Sequence, residues 1–93
     1  NTKVIDIIDE LKGYGTYVDV FDPWVDREEE KKYYHHGFID NPFEADQKYD
    51  AIVVAVGHTE FKLLTKADYE GISEQEPIVI DVKGVVDDPT WRL

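Results

Sequence analysis

Tyr49-Asp50-Ala51-Ile52-Val53-Val54-Ala55-Val56-Gly57-His58-Thr59-Glu60-Phe61 is the stretch whose reading decides the fold. From Ala51 to Val56 no side chain is polar, so the run has no face to offer water. It reads as a strand buried on both sides, in the middle of a parallel sheet. Beyond it, Gly57-His58-Thr59-Glu60 is where a strand hands over to a loop and a short helix over Thr59–Leu64. Ligands of open α/β sheets gather at the carboxyl ends of the strands. His58, Thr59 and Glu60 are therefore candidate ligand contacts. A simpler role is also open to them: Thr59 as a helix cap and Phe61 as a core residue.

Working outward, Val4, Ile7, Ile8 and Leu11 recur at helical spacing, with Asp6, Asp9, Glu10 and Lys12 between them. That pattern predicts an amphipathic helix on a sheet, capped by Asn1 or Thr2 and ended by Gly13 or Gly15. Tyr17-Val18-Asp19-Val20-Phe21-Asp22 alternates and is rich in β-formers, so it predicts a strand that Pro23 stops. Asp26-Arg27-Glu28-Glu29 has the form of a capping box for a helix to about His36, ended by Gly37. Phe38-Ile39 predicts a short edge strand before the Asp40-Asn41-Pro42 turn, and Glu44–Lys48 a helical turn. Downstream, Thr65-Lys66-Ala67-Asp68 caps a second helix that stops near Gly71, and residues 73–76 form a loop. Pro77–Val82 is a further buried strand, Lys83-Gly84 leaves its carboxyl end, and Val85–Leu93 is a tail. Strands alternating with helices predict an α/β fold: a Rossmann-like parallel sheet flanked by helices. No repeat or linker interrupts the chain, so residues 1–93 read as a single domain.

Composition narrows the function. The apolar share of 42% is that of a folded globular chain. A net charge of −11, from 21 acids against 10 bases, repels phosphate backbones and anionic lipid. No basic patch offsets it, which argues against nucleic-acid and membrane partners. With no cysteine there is no thiol nucleophile, thiolate metal site or disulfide framework. No apolar run approaches the roughly 20 residues of a membrane span, and no secretory leader is seen. A cytoplasmic protein is expected.

The remaining candidates divide between chemistry and plain structure. Asp22 ends a strand after an amphipathic helix, where a dinucleotide fold puts its ribose-binding acid. That role requires a glycine-rich turn before the helix, so a nicotinamide site within this chain is rejected. His35-His36 are adjacent and point about 100° apart on a helix, which suits a surface pair better than a metal site. Lys83 is a cation at the carboxyl edge beside a glycine, which suits phosphate or carboxylate binding. Nothing resembles a catalytic constellation, so the chain reads as a binding module.

Taken together, residues 1–8, Val18–Pro23, Tyr49–Phe61 and Ile80-Asp81-Val82-Lys83-Gly84 resemble the UDP-glucose/GDP-mannose dehydrogenase family, and within it the C-terminal UDP-binding domain. The resemblance covers nearly the whole chain, with residues 24–48 carrying little of it. It implies an enzyme that uses NAD to oxidise the C6 hydroxyl of a nucleotide-sugar twice, giving a uronic acid for surface polysaccharides. In such enzymes the NAD motif and catalytic cysteine lie in the N-terminal and central domains, the partners this resemblance implies. The parent is expected to be a homo-oligomer, and the fragment to be non-catalytic. Lys83 matches the basic residue of the family's Asp-x-Arg, which contacts the nucleotide-sugar. That lysine, with Val56-Gly57-His58 in place of Thr-Glu-Trp, resembles the UDP-N-acetylhexosamine 6-dehydrogenases. The resemblance thus implies UDP-sugar contacts at Lys83, His58, Thr59 and Glu60.

The family's domain opens with a strand just before the segment matching Asn1. That strand would be the central one, between Tyr17–Asp22 and Ala51–Val56, so the sheet is expected to be truncated. Two bare ladders of backbone donors and acceptors are costly. Direct pairing of those flanking strands is the first expectation, with a strand borrowed from another copy or an open gap as alternatives. A receiver-like signalling domain also has a parallel sheet and a lysine after its last strand. The middle strand here lacks the phosphorylatable Asp that such a domain needs. An assembly module within a larger enzyme is a further alternative.

Overall fold

A computed structural model describes residues 2–24 and 37–93. The chain divides into two compact units, Asn1–Pro42 and Phe43–Leu93. The helix expected from Asp26 to His36, with its His35-His36 pair, lies outside the described residues.

In the first unit, helix α1 spans Thr2–Gly13. Val4, Ile7, Ile8 and Leu11 are half-buried and Asp6, Asp9 and Glu10 exposed, as the spacing predicted, while Lys12 of the expected polar face is half-buried. Gly15, at φ 84°, ends the helix, and its N–H donates to Lys12 O at 3.0 Å. The expected strand over Tyr17–Asp22 is reduced to one parallel bridge, Val20 with Phe38. Val20 N–H donates to Gly37 O and Val20 O accepts from Ile39 N–H. Its partner is thus the expected edge segment Phe38-Ile39. Gly37 makes the approach possible. It sits at φ 91°, and a Cβ there would lie 2.5 Å from Val18 O. A 3₁₀ turn over Pro42–Glu44 replaces the turn expected at Glu44–Lys48.

The second unit carries a three-stranded parallel sheet, ordered β1 (Ile52–Val54), β2 (Val79–Asp81), β3 (Trp91–Arg92). Ile52 pairs with Val79, Val54 with Asp81, Ile80 with Trp91 and Asp81 with Arg92. Two expectations are corrected. Within this sheet the middle strand is β2, with β1 beside it. The Val85–Leu93 tail contains β3, whose pairing is closed by Thr90 N–H to Val79 O at 2.8 Å and Leu93 N–H to Asp81 O at 3.0 Å.

Helices α2 (Thr59–Lys62) and α3 (Lys66–Gly71) flank the sheet. Val54, Tyr69, Val79 and Val86 form the core, with Ile52, Phe61, Leu64 and Val85 packed against it. Burying a valine of this kind contributes about 1.5–3 kcal/mol. The Tyr69 hydroxyl is buried, with no hydrogen-bond partner among the described residues. Burial, then Asp81 and Asp68, raise its pKa, so the phenol stays neutral. At α3 the predicted cap is present in full. Thr65 Oγ1 accepts from Asp68 N–H at 3.3 Å and the Asp68 carboxylate accepts from Thr65 N–H at 2.8 Å. Thr65→Ala is expected to cost about 1 kcal/mol, read as a lower urea midpoint with unchanged slope. No helix among the described residues is long and apolar enough to cross a membrane.

Candidate functional site

Two segments leave the carboxyl ends of β1 and β2 side by side. Val82 N–H donates to Val54 O at 3.0 Å, which carries the β1–β2 pairing one step past the strands. Further out, a Cβ on Gly57 would lie 3.6 Å from Val85 Cγ1, so the two loops run close together. The structure therefore brings the His58–Glu60 and Lys83 segments to one edge.

The residues there differ in what they are free to do. His58 is the N-cap of α2, at φ −60° and ψ 143°, and makes no side-chain cap. Its ring is half-buried, 5.4 Å from the Phe61 ring, and Phe61 in turn packs on the core. Thr59, expected as the cap, is instead the first helical residue, and both it and Glu60 are exposed. Helix α2 has 4 residues, too short for its N-terminus to act as an anion site. Lys83 is exposed.

Asp81 organises the Lys83 loop. It has 0% exposure, on the same face of β2 as Val79. Its Oδ1 accepts from Lys83 N–H at 3.2 Å and Gly84 N–H at 2.9 Å, and its Oδ2 from Val86 N–H at 2.9 Å. Arg92 Nε donates to Oδ2 at 3.3 Å, and the same guanidinium donates to Val86 O. Gly84 holds φ 76°, the left-handed turn that aims successive N–H groups inward. Burial pushes the Asp81 carboxyl up, but the N–H groups of Val86, Val85, Gly84 and Lys83 hold its pKa below 3.8. An ionised carboxylate therefore sits at the sheet's carboxyl edge, neutralised from within.

Sequence reasoning placed Asp81 at this edge without giving its carboxylate a role, and it missed Arg92. The signal for Asp81 was present, since an acid in the run Ile78-Val79-Ile80-Asp81-Val82 cannot be buried without partners. Arg92 was hidden by the reading of its segment as a tail. Asp22 is drawn into a turn, where its Oδ1 accepts from Trp24 N–H at 2.9 Å. That does not fit a ribose contact for NAD, and no step through NAD is assigned to these residues. Among the described residues no three acids or histidines are grouped to hold a metal.

Residues 1–88 match the UDP-glucose/GDP-mannose dehydrogenase family, UDP binding domain. The chain is 42% identical over 86 residues to a UDP-N-acetyl-D-glucosamine 6-dehydrogenase of Salmonella typhi, covering 92% of this chain and 20% of that protein. With the Pseudomonas aeruginosa protein of the same name it shares 38% over 88 residues, 95% of this chain and 20% of the relative. With Protein CapL of Staphylococcus aureus it shares 38% over 100 residues, all of this chain and 23% of the relative. The chain thus spans about a fifth of the length of the curated relatives it matches. No solved structure gives a significant match. The chain belongs to the UDP-glucose/GDP-mannose dehydrogenase family, as a C-terminal UDP-binding domain related to the UDP-N-acetylhexosamine 6-dehydrogenases.

Proposed function

We propose that residues 1–93 act as a single domain that holds the UDP part of a UDP-N-acetylhexosamine for an NAD-dependent 6-dehydrogenase. The observation that carries this reading is Lys83, an exposed cation on a loop fixed at the carboxyl end of the middle strand. Its ammonium meets a diphosphate as a point charge. His58, Thr59 and Glu60 lie on the neighbouring segment. Thr59 can donate to or accept from a nucleotide-sugar, while the Glu60 carboxylate suits a sugar or ribose hydroxyl. The chain has no cysteine, so the family's catalytic thiol comes from elsewhere in the parent. When bound by that parent, NAD would accept a hydride from the sugar C6 in each of the two oxidations. The whole enzyme, a cytoplasmic homo-oligomer in this reading, oxidises that carbon to a carboxylate for surface polysaccharide. Family membership leaves no place for the receiver-like alternative.

Calorimetry of this chain with UDP, UDP-N-acetylglucosamine and uridine tests the reading. UDP and the UDP-sugar are expected to bind and to shift the Lys83 and Gly84 amides, with affinity falling as salt rises. Uridine, lacking the diphosphate, is expected to bind far more weakly. Equal binding of uridine and UDP would remove the role given to the ammonium.

A further inference from the structure

We infer that Asp81 and Arg92 are positioning residues for Lys83, and that phosphate recognition at this edge runs through the lysine ammonium and not through the loop's backbone N–H groups. This rests on the nucleotide reading above. A left-handed turn with converging N–H groups ordinarily makes an anion cradle. Here the cradle is filled by the protein's own carboxylate, which takes the N–H groups of Lys83, Gly84 and Val86. Those donors are spent.

Arg92 holds the arrangement from the adjacent strand. In the β2–β3 register it is the neighbour of Asp81. Its Nε reaches Asp81 Oδ2 while its terminal nitrogen reaches Val86 O, so the guanidinium ties the carboxylate and the far end of the loop together. A buried anion beneath a diphosphate site would repel the ligand. The guanidinium offsets that charge, and the fixed loop holds the Lys83 backbone in one place. Both effects favour a phosphate at Lys83, and neither needs Arg92 to touch it.

The test is a double-mutant cycle on this chain with UDP as the probe. Arg92 is 51% exposed in its side chain, so Arg92→Gln is expected to fold. It should weaken UDP binding about tenfold in the native background and add no further loss in a Lys83→Ala background. Unchanged affinity, or an equal loss in both backgrounds, overturns the inference. Arg92→Lys keeps the charge without the rigid fork, and carries the same measurement if Arg92→Gln does not fold. Should Lys83→Ala leave UDP affinity unaltered, the nucleotide reading fails by itself. The loop is then judged by Gly84 amide exchange, where about tenfold faster exchange in Arg92→Gln supports positioning and unchanged exchange overturns it.

Discussion

Asp81→Ala is expected to bring the second unit close to unfolding at 25 °C. The substitution leaves the Lys83, Gly84 and Val86 N–H groups without their acceptor and the Arg92 guanidinium without its carboxylate. Leaving a buried donor such as the Val86 N–H without its acceptor costs about 1–3 kcal/mol, and the Lys83, Gly84 and Arg92 bonds are lost with it. A chain of this size has a total of about 5–15 kcal/mol, so the loss consumes a large part of it. Asp81→Asn keeps one acceptor oxygen but turns an amide N–H₂ towards donors, so it is expected to destabilise in the same direction. Urea unfolding by circular dichroism measures both. An Asp81→Ala midpoint equivalent to a loss under about 1 kcal/mol would refute the role assigned to the carboxylate.

The same group predicts an acid limit. Its folded pKa is depressed below the ordinary 3.8. A depressed carboxyl contributes its stability in full above the unfolded pKa and loses it as pH falls through the folded value. Its contribution should therefore be level through neutral pH and decline below about pH 3.8. Asp81→Asn should lack this part of the decline when stability is followed across pH.

Lys83→Ala carries the second large effect, on binding. A hydrogen bond to a charged group contributes about 1.5–3 kcal/mol, so the Kd for UDP is expected to rise roughly ten- to 150-fold. Folding should hardly respond, since Lys83 is exposed and its backbone bond to Asp81 survives the change. Lys83→Arg should keep binding, because a guanidinium also meets phosphate and can do so with two parallel bonds. Calorimetry at low and high salt separates the contributions, as the wild-type advantage over Lys83→Ala should shrink with ionic strength. A Kd for Lys83→Ala within twofold of the wild type would end the assignment.

Much of the fold was legible in the chain because local chemistry settled it. The spacing of Val4, Ile7, Ile8 and Leu11 gave α1, and Thr65 with Asp68 wrote the cap of α3 in full. The apolar runs around Val54 and Val79 named β1 and β2. Such signals survive without tertiary context because each depends on residues within one or two turns. The position of Lys83 after a strand was likewise legible. Partners far apart in sequence were not legible. Val20 pairing with Phe38 depends on Gly37 admitting a close backbone approach, and the pairing of Trp91-Arg92 depends on the ladder that β2 presents.

The stretch Tyr49–Phe61 shows the division most clearly. By itself the sequence determined that a strand lies within Ala51–Val56 and that His58, Thr59 and Glu60 follow its carboxyl end. Tertiary structure alone decided that the ordered pairing is confined to Ile52–Val54, of which Val54 alone is buried, and that Gly57 lies near the loop after β2. It also decided what holds that loop. An acid in an apolar strand signals only that a partner must exist; the partner, Arg92, lies 11 residues away and becomes its neighbour through the parallel pairing of β2 with β3. Periodicity carries information about faces, which are local. A buried charge is satisfied across strands, and only the folded chain brings those strands together.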